Sequence, residues 1–221
     1  MITLAIDAST YAGDVAILDD SRILAEENIA MKGADRERLM PAVVAVLERS
    51  ALRVADIDRV VCGAGPGSFT SLRIAGGIAK GIASGRGCPL FAAPSMALLV
   101  GGANVRPGRY LAAIDALRGE SYIGLYDVSF DARVSESEPA RLVPALEVET
   151  VAAELGAKIV SPSRFESSVV ATPRARGVAA IVELLQARGP VDIESWEPSY
   201  GRLAEAQVRW EMTHGKPLSA G

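Results

Sequence analysis

The first thirty residues read as strands, after which the period of the apolar positions changes. Ile2–Asp7 is an apolar run ending in an acid, Ser9 to Gly13 is turn-forming, and Val15–Leu18 is a second run. Asp19-Asp20-Ser21 makes a tight turn into a third, Arg22–Ala30. Short apolar runs bounded by turn residues predict strands, here an antiparallel hairpin extended by one more strand. Leu39, Met40, Val43, Val44 and Leu47 then follow helical spacing, which predicts a helix over Asp35–Ser50 with Asp35 as N-cap. Pro41 inside it is a point where that helix can kink. Beyond it come a buried strand (Ile57–Cys62), a Gly-Pro-Gly loop (Gly63–Ser68), a helix (Phe69–Ser84), a strand (Pro89–Ala92) and a short helix (Ser95–Val100).

The pattern then starts again. At an offset of 108 residues, Ala5-Ile6-Asp7-Ala8 recurs as Ala113-Ile114-Asp115-Ala116, and Val15, Ile17 and Asp19 align with Ile123, Leu125 and Asp127. A repeat of this period predicts duplicated lobes, 1–105 and 106–221, of α/β class. Each opens with a hairpin whose first strand, Ile2–Asp7 or Tyr110–Ala116, carries Asp at its end. The second half predicts a strand Tyr122–Val128, a polar loop holding one strand (Arg133–Pro144), a helix Val148–Leu155 and a strand Lys158–Val160. A surface loop Ser161–Pro173, a helix Val178–Gln186 stopped by Gly189-Pro190 and a last helix Leu203–Trp210 complete it.

Composition narrows the chemistry. The 23 basic and 27 acidic residues leave a net charge of −4, which argues against a self-sufficient nucleic-acid binder. Two cysteines, Cys62 and Cys88, are too few for a disulfide framework and fit buried positions in a reducing, cytoplasmic setting. The one histidine, His214, excludes a histidine metal pair within the chain and leaves a Ser-His-Asp triad only a tail residue to use. The start lacks a basic segment and Asp7 breaks its apolar run, so no targeting segment is expected. The longest uncharged stretch, Gly87–Val105, is interrupted by Pro89, Pro94, Gly101, Gly102 and Asn104, which predicts strand, turn and short helix rather than a membrane span.

Three features carry candidate function. Asp7 and Asp115, at equivalent strand ends, could hold Mg²⁺ or phosphate in a nucleotide cleft, or each could cap the turn that follows it. Glycines that would let backbone amides approach a phosphate are missing after both. The motif Gly65-Pro66-Gly67-Ser68-Phe69-Thr70-Ser71-Leu72-Arg73 is not a phosphate-binding P-loop, because no Gly-Lys-Ser/Thr follows; it reads as a tight turn with Ser68 as N-cap. The helix behind it carries Gly76, Gly77 and Gly81 in its interior, at a cost of about 1 kcal/mol each. Gly77, Gly81 and Gly85 share a face, and close approach by another helix, of this chain or of a partner, would recover that cost.

ITLAIDAST, GAGPGSFTSLRIAGGIAKGIA, AAIDALRGESY and EPSYGRLAEAQVRWE, in that order along nearly the whole chain, resemble the bacterial TsaB (YeaZ) family. The resemblance implies a duplicated, actin-like ribonuclease H-like fold. It implies a non-catalytic paralogue of the metal-binding TsaD, working with TsaD and TsaE. That assembly uses ATP and threonylcarbamoyl-AMP to form N6-threonylcarbamoyladenosine next to the anticodon of tRNAs reading codons that begin with A. No tightly bound cofactor or metal is expected on this chain alone, and tRNA is expected to be held mainly by the complex. It further implies a homodimer in the absence of TsaD, through Asp35–Ser50 and Phe69–Ser84. The partner interface expected on this sequence comprises Gly65, Pro66, Gly67, Ser68, Phe69, Thr70, Arg73, Gly77, Lys80 and Gly81, with Leu39 and Val43. The sequence departs from the family pattern at Ser71, at Asp35-Arg36-Glu37 and at Gly201. An ATP-dependent kinase or ATPase of the same fold, and more remotely a glycoprotease, are the alternatives.

Overall fold

The computed structural model describes residues 1–31 and 37–200. Strands β1 (Ile2–Asp7), β2 (Ala12–Asp19), β3 (Arg22–Ala30), β4 (Arg59–Gly63) and β5 (Leu90–Ala93) form one sheet in the order β3-β2-β1-β4-β5. Strands β6 (Gly108–Asp115), β7 (Glu120–Val128), β8 (Val134–Pro144), β9 (Lys158–Ser161) and β10 (Val169–Val170) form a second sheet, in the order β8-β7-β6-β9-β10. The first three strands of each sheet are antiparallel and the last two join in parallel. The duplication read from the repeated Ala-Ile-Asp-Ala is therefore a duplication of topology. β1 reads as a continuous apolar run because both of its faces are covered.

Helices α1 (Leu39–Arg49) and α2 (Phe69–Arg86) cover the outer face of the first sheet. Leu4, Ile6, Val15, Ile17, Val60 and Cys62 pack there against Leu39, Ala42, Val43 and Val46 of α1 and Ala75, Ala79 and Ile82 of α2. α3 (Ser95–Gly102) lies between the sheets and is apolar all round, as burial on every side requires. It packs in one core with Ala5, Leu18 and Val61 of the first sheet and Tyr110, Ile114 and Tyr126 of the second. The outer face of the second sheet is covered by α4 (Val148–Glu154), through Val148 and Ala152 against Leu111, Ile123 and Ile159.

Four expectations change. α1 begins at Leu39; Asp35 lies outside the described residues, and the Glu37 carboxylate accepts the amides of Leu39 and Met40 instead. Pro41 sits in the first turn, where no intrahelical amide bond is needed, so it is compatible with the helix start. The region 133–144 is one eleven-residue strand paired along β7, hidden in the sequence by an exposed, polar edge carrying Pro139. The loop Ser161–Pro173 contains β10.

The expected helix Val178–Gln186 is split into a 3-10 turn, Ala175–Ala180, and α5 (Val182–Arg188). The turn crosses α3 too closely for side chains. A Cβ on Gly177 would lie 2.7 Å from the Leu98 carbonyl oxygen, and one on Gly101 would lie 2.9 Å from that of Gly177. The expected last helix Leu203–Trp210 lies outside the described residues.

The boundary expected at residue 105 falls between α3 and β6. The chain beyond β10 nevertheless returns to the first lobe: Val191 pairs with Leu90, and Ile193 and Trp196 join the core beneath α1 and α2.

Candidate functional site

Asp7 ends β1 with no exposed surface. Its Oδ1 accepts the Ser9 amide at 2.9 Å and the Ser9 hydroxyl at 2.8 Å, and its Oδ2 accepts the Ser95 hydroxyl at 2.5 Å. The Ser95 oxygen in turn accepts the Gly65 amide at 3.0 Å. Burial pushes the Asp7 carboxyl up from its ordinary range, opposed by the Ser95 and Ser9 hydrogen bonds. A Cβ on Gly63 would fall 1.9 Å from Asp7 Oδ2, and one on Gly67 would fall 2.0 Å from the Ser9 carbonyl oxygen, which accepts the Ser68 amide at 2.7 Å. Gly63 and Gly67 thus serve packing against Asp7 and Ser9.

Asp115 is exposed, and its Oδ1 accepts the Leu117 amide at 2.8 Å. Each aspartate therefore caps its own turn. Of the two alternatives that the sequence left open for this pair, the geometry is that of turn caps, with Asp7 sealed under Ser9, Gly63 and Ser95. The residues here do not fit a phosphate or metal, since Asp7 has no face to offer and the buried Ala8 follows it. Among the described residues, no group of three or more His, Cys, Asp or Glu side chains could hold a metal ion. Cys62 and Cys88 are buried, and burial pushes both thiols up, away from the nucleophilic thiolate.

The anchored loop delivers α2. Ser68 stands at its N-cap, but its hydroxyl donates to Ser71 Oγ at 3.1 Å rather than to a backbone group, so the departure at Ser71 is absorbed by a partly buried hydroxyl pair. A strap formed by residues 192–200 crosses the helix. The Ser199 amide donates to Ala64 O at 2.7 Å, and Lys80 Nζ donates to Glu194 O at 3.3 Å. A Cβ on Gly76 would sit 3.3 Å from Pro198. The Arg73 guanidinium lies over the Phe69 ring at 4.5 Å and over the Tyr200 ring at 5.6 Å. The quoted segments containing Gly65–Arg73 and Pro198–Tyr200, distant in sequence, are neighbours in space.

Beside the strap, the glycine ridge is bare. Nothing in the described residues lies within 4 Å of a Cβ built on Gly77, Gly81 or Gly85. These glycines, with Met40, Val54, Ile78 and Ile82, line an open groove of about 480 Å³. Of the expected interface set, Thr70, Arg73, Gly77 and Gly81 are exposed, and Gly67, Ser68, Phe69 and Lys80 are half-buried. Gly65 and Pro66 are buried, Gly65 against Leu72 and the Ser199 carbonyl of the strap. Leu39 and Val43 are corrected: both are wholly buried against the sheet, and the outward positions on α1 are their neighbours Met40 and Val44, 41% and 44% exposed. Helical spacing alone names the apolar stripe that enters the core. Apolar residues left over outside that stripe are the signal for a second surface.

Paired five-stranded sheets of identical order, packed about a shared buried helix, define the duplicated, actin-like class of α/β protein. A family model described as "TsaD: tRNA N6-adenosine threonylcarbamoyltransferase" matches residues 27–171, about two-thirds of the chain. The tRNA threonylcarbamoyladenosine biosynthesis protein TsaB of Bacillus subtilis is 29% identical over 95% of this chain and 98% of its own length. TsaB of Escherichia coli is 38% identical over 57% of this chain and 55% of its own. The solved structure of YeaZ from Pseudomonas aeruginosa superposes with a TM-score of 0.73 at 26% identity, covering 90% of this chain and 99% of that one. The chain belongs to the TsaD-like family and, within it, to the TsaB (YeaZ) group of tRNA threonylcarbamoyladenosine biosynthesis proteins.

Proposed function

We propose that this chain is a non-catalytic scaffold subunit that docks TsaD and supports its transfer of the threonylcarbamoyl group to tRNA adenosine, with TsaE joining the pair. The observation that carries this reading is the glycine ridge Gly77-Gly81-Gly85, flanked by Met40 and Val54, which is open and apolar and has no covering element among the described residues. Interior glycines cost helix stability, and a ridge of them permits the close backbone approach of a second helix. The same face would hold a second copy of the chain when TsaD is absent. ATP and threonylcarbamoyl-AMP belong, in this reading, to the assembly. The sealed Asp7 and the net charge of −4 support that assignment and leave most tRNA affinity to the partners. The proposed place of work is the cytoplasm; among the described residues no helix is long and apolar enough to cross a membrane.

Reconstitution tests the reading. TsaD, TsaE, the donor-forming synthase, ATP, threonine, bicarbonate and tRNA are combined with and without this chain. Modified adenosine is expected only with it. Equal product in its absence would overturn the scaffold role.

A further inference from the structure

The strap grips α2 along one line. It meets the helix at Phe69, Arg73, Gly76 and Lys80, which stand at i, i+4, i+7 and i+11 and form one stripe. The two run antiparallel along it. The Tyr200 ring lies 4.5 Å from that of Phe69, Pro198 and Trp196 lie over Gly76, and the Glu194 carbonyl accepts Lys80. An extended chain advances about 3.3 Å per residue and a helix about 5.4 Å per turn, so alternate strap residues meet successive turns. Trp196, Pro198 and Tyr200 are accordingly covered, and Glu197 and Ser199 exposed.

That grip bears on the bare ridge. Gly77 and Gly81 each follow a strap-held residue, Gly76 or Lys80, by one position, so any roll of α2 turns the ridge with it. The face that α2 turns to the core relies on Ala75, Ala79 and Ala83, with Leu72 and Ile82 as its large side chains. Small side chains make shallow ridges, which fix the roll of a helix less firmly than large ones that interdigitate. The start of α2 also lacks a side-chain cap, because the Ser68 hydroxyl goes to Ser71. The strap holds that end instead: Ser199 donates its amide to Ala64 O at 2.7 Å, and Arg73 Nε donates to the Tyr200 hydroxyl at 3.3 Å.

We propose that the strap is a splint that sets the start and roll of α2, with Tyr200 as a positioning residue for the docking ridge. Tyr200 acts through Phe69 and Arg73, without touching the partner. The identity of that partner rests on the docking reading above. The docking face of the first lobe is thus completed by a residue 127 positions beyond Arg73. By linkage, whatever frees the strap weakens docking, and a docked partner holds the strap in place.

The test compares the full chain with its Tyr200→Ala and Tyr200→Phe variants. Hydrogen exchange is followed on the lone chain at a concentration where it is monomeric. The reporters are the Ser199 amide and that of Leu72, which donates to Ser68 O at the start of α2. Tyr200→Ala is expected to speed both about tenfold, with β1 and β4 amides unchanged. The same variant is expected to bind TsaD about tenfold more weakly in a titration. Tyr200→Phe keeps the ring on Phe69 and Arg73 and is expected to restore both readouts. Weaker binding with parental exchange at Leu72 would make Tyr200 a direct contact and overturn the splint. Faster exchange with parental binding, or a loss of protection that reaches β1 and β4, would overturn it too. Gly77→Arg is titrated beside them. If it loses TsaD while Tyr200→Ala binds like the parent, the splint alone fails. If Gly77→Arg retains TsaD, the docking reading fails, and the exchange at Leu72 still decides whether the strap sets α2.

Discussion

Replacing Gly77 with arginine is expected to stabilise the monomeric chain and to abolish the proposed pairing with TsaD. Gly77 lies inside α2 with open space where its Cβ would stand. Arginine there meets no clash and gains about 0.5–1 kcal/mol of helix propensity. For a domain of this size that is a rise in melting temperature of about 1–4 °C. On the docked face the same side chain would hold the helices apart over the whole ridge. A loss of at least about 100-fold in affinity, about 2.7 kcal/mol, is expected. Gly77→Ala should give most of the stability gain with a smaller loss of binding. Co-elution with TsaD and thermal melting of the lone chain read the two effects separately. Retained co-elution would remove this face from the interface, and a lower melting temperature at a concentration where both proteins are monomeric would contradict the exposure of the ridge.

That opposition of signs bears on how evolution uses the helix. A chain that keeps three bare glycines on one ridge gives up stability that any alanine would restore. Such positions are where stability and function pull apart.

The sequence made the duplication visible because a short strand ending in Asp, repeated with its hairpin partner, is a local pattern. β1 and β3 have the limits read from the apolar runs, since turn residues punctuate both ends. β8 was obscured because an edge strand with exposed polar positions has no apolar face to announce itself. The 3-10 turn was obscured because its geometry is dictated from outside, by the passage of Gly177 over α3. The partners of the two buried carboxyls were invisible for the same reason: Ser95 reaches Asp7, and Arg174 reaches Asp14, only after the sheets have folded against α3. Glycine spacing marked the α2 ridge that the structure leaves bare, while the interface expected from the resemblance also took in Leu39 and Val43. Those are the residues that hold α1 to the sheet. A docking face on a helix must lie outside the stripe that anchors the helix, so the apolar residues that matter for it are the ones the core does not claim.

Asp7→Ala and Asp115→Ala should separate structure from chemistry at the repeated strand ends. Removing the Asp7 carboxyl leaves the Ser9 amide and the Ser9 and Ser95 hydroxyls without their buried acceptor. Orphaned buried donors cost about 1–3 kcal/mol each, and the void under Gly63 adds to that, so a loss of about 3–5 kcal/mol is expected. The Asp115 carboxylate is exposed and accepts one turn amide, so its loss should cost about 1 kcal/mol or less. Asp7→Asn keeps Oδ1 for Ser9 and can donate its amide to the Ser95 oxygen, but it leaves the Ser95 hydroxyl without its acceptor, so a loss of about 1–3 kcal/mol, smaller than that of Asp7→Ala, is expected in urea unfolding. Reconstituted tRNA modification at a temperature where all variants are folded then decides the role. If Asp7→Asn supports full product, Asp7 is an anchor for the Gly-Pro-Gly loop. If product collapses in a folded Asp7→Asn variant, the carboxylate acts on something beyond Ser9 and Ser95, and the nucleotide reading of the strand ends regains its standing.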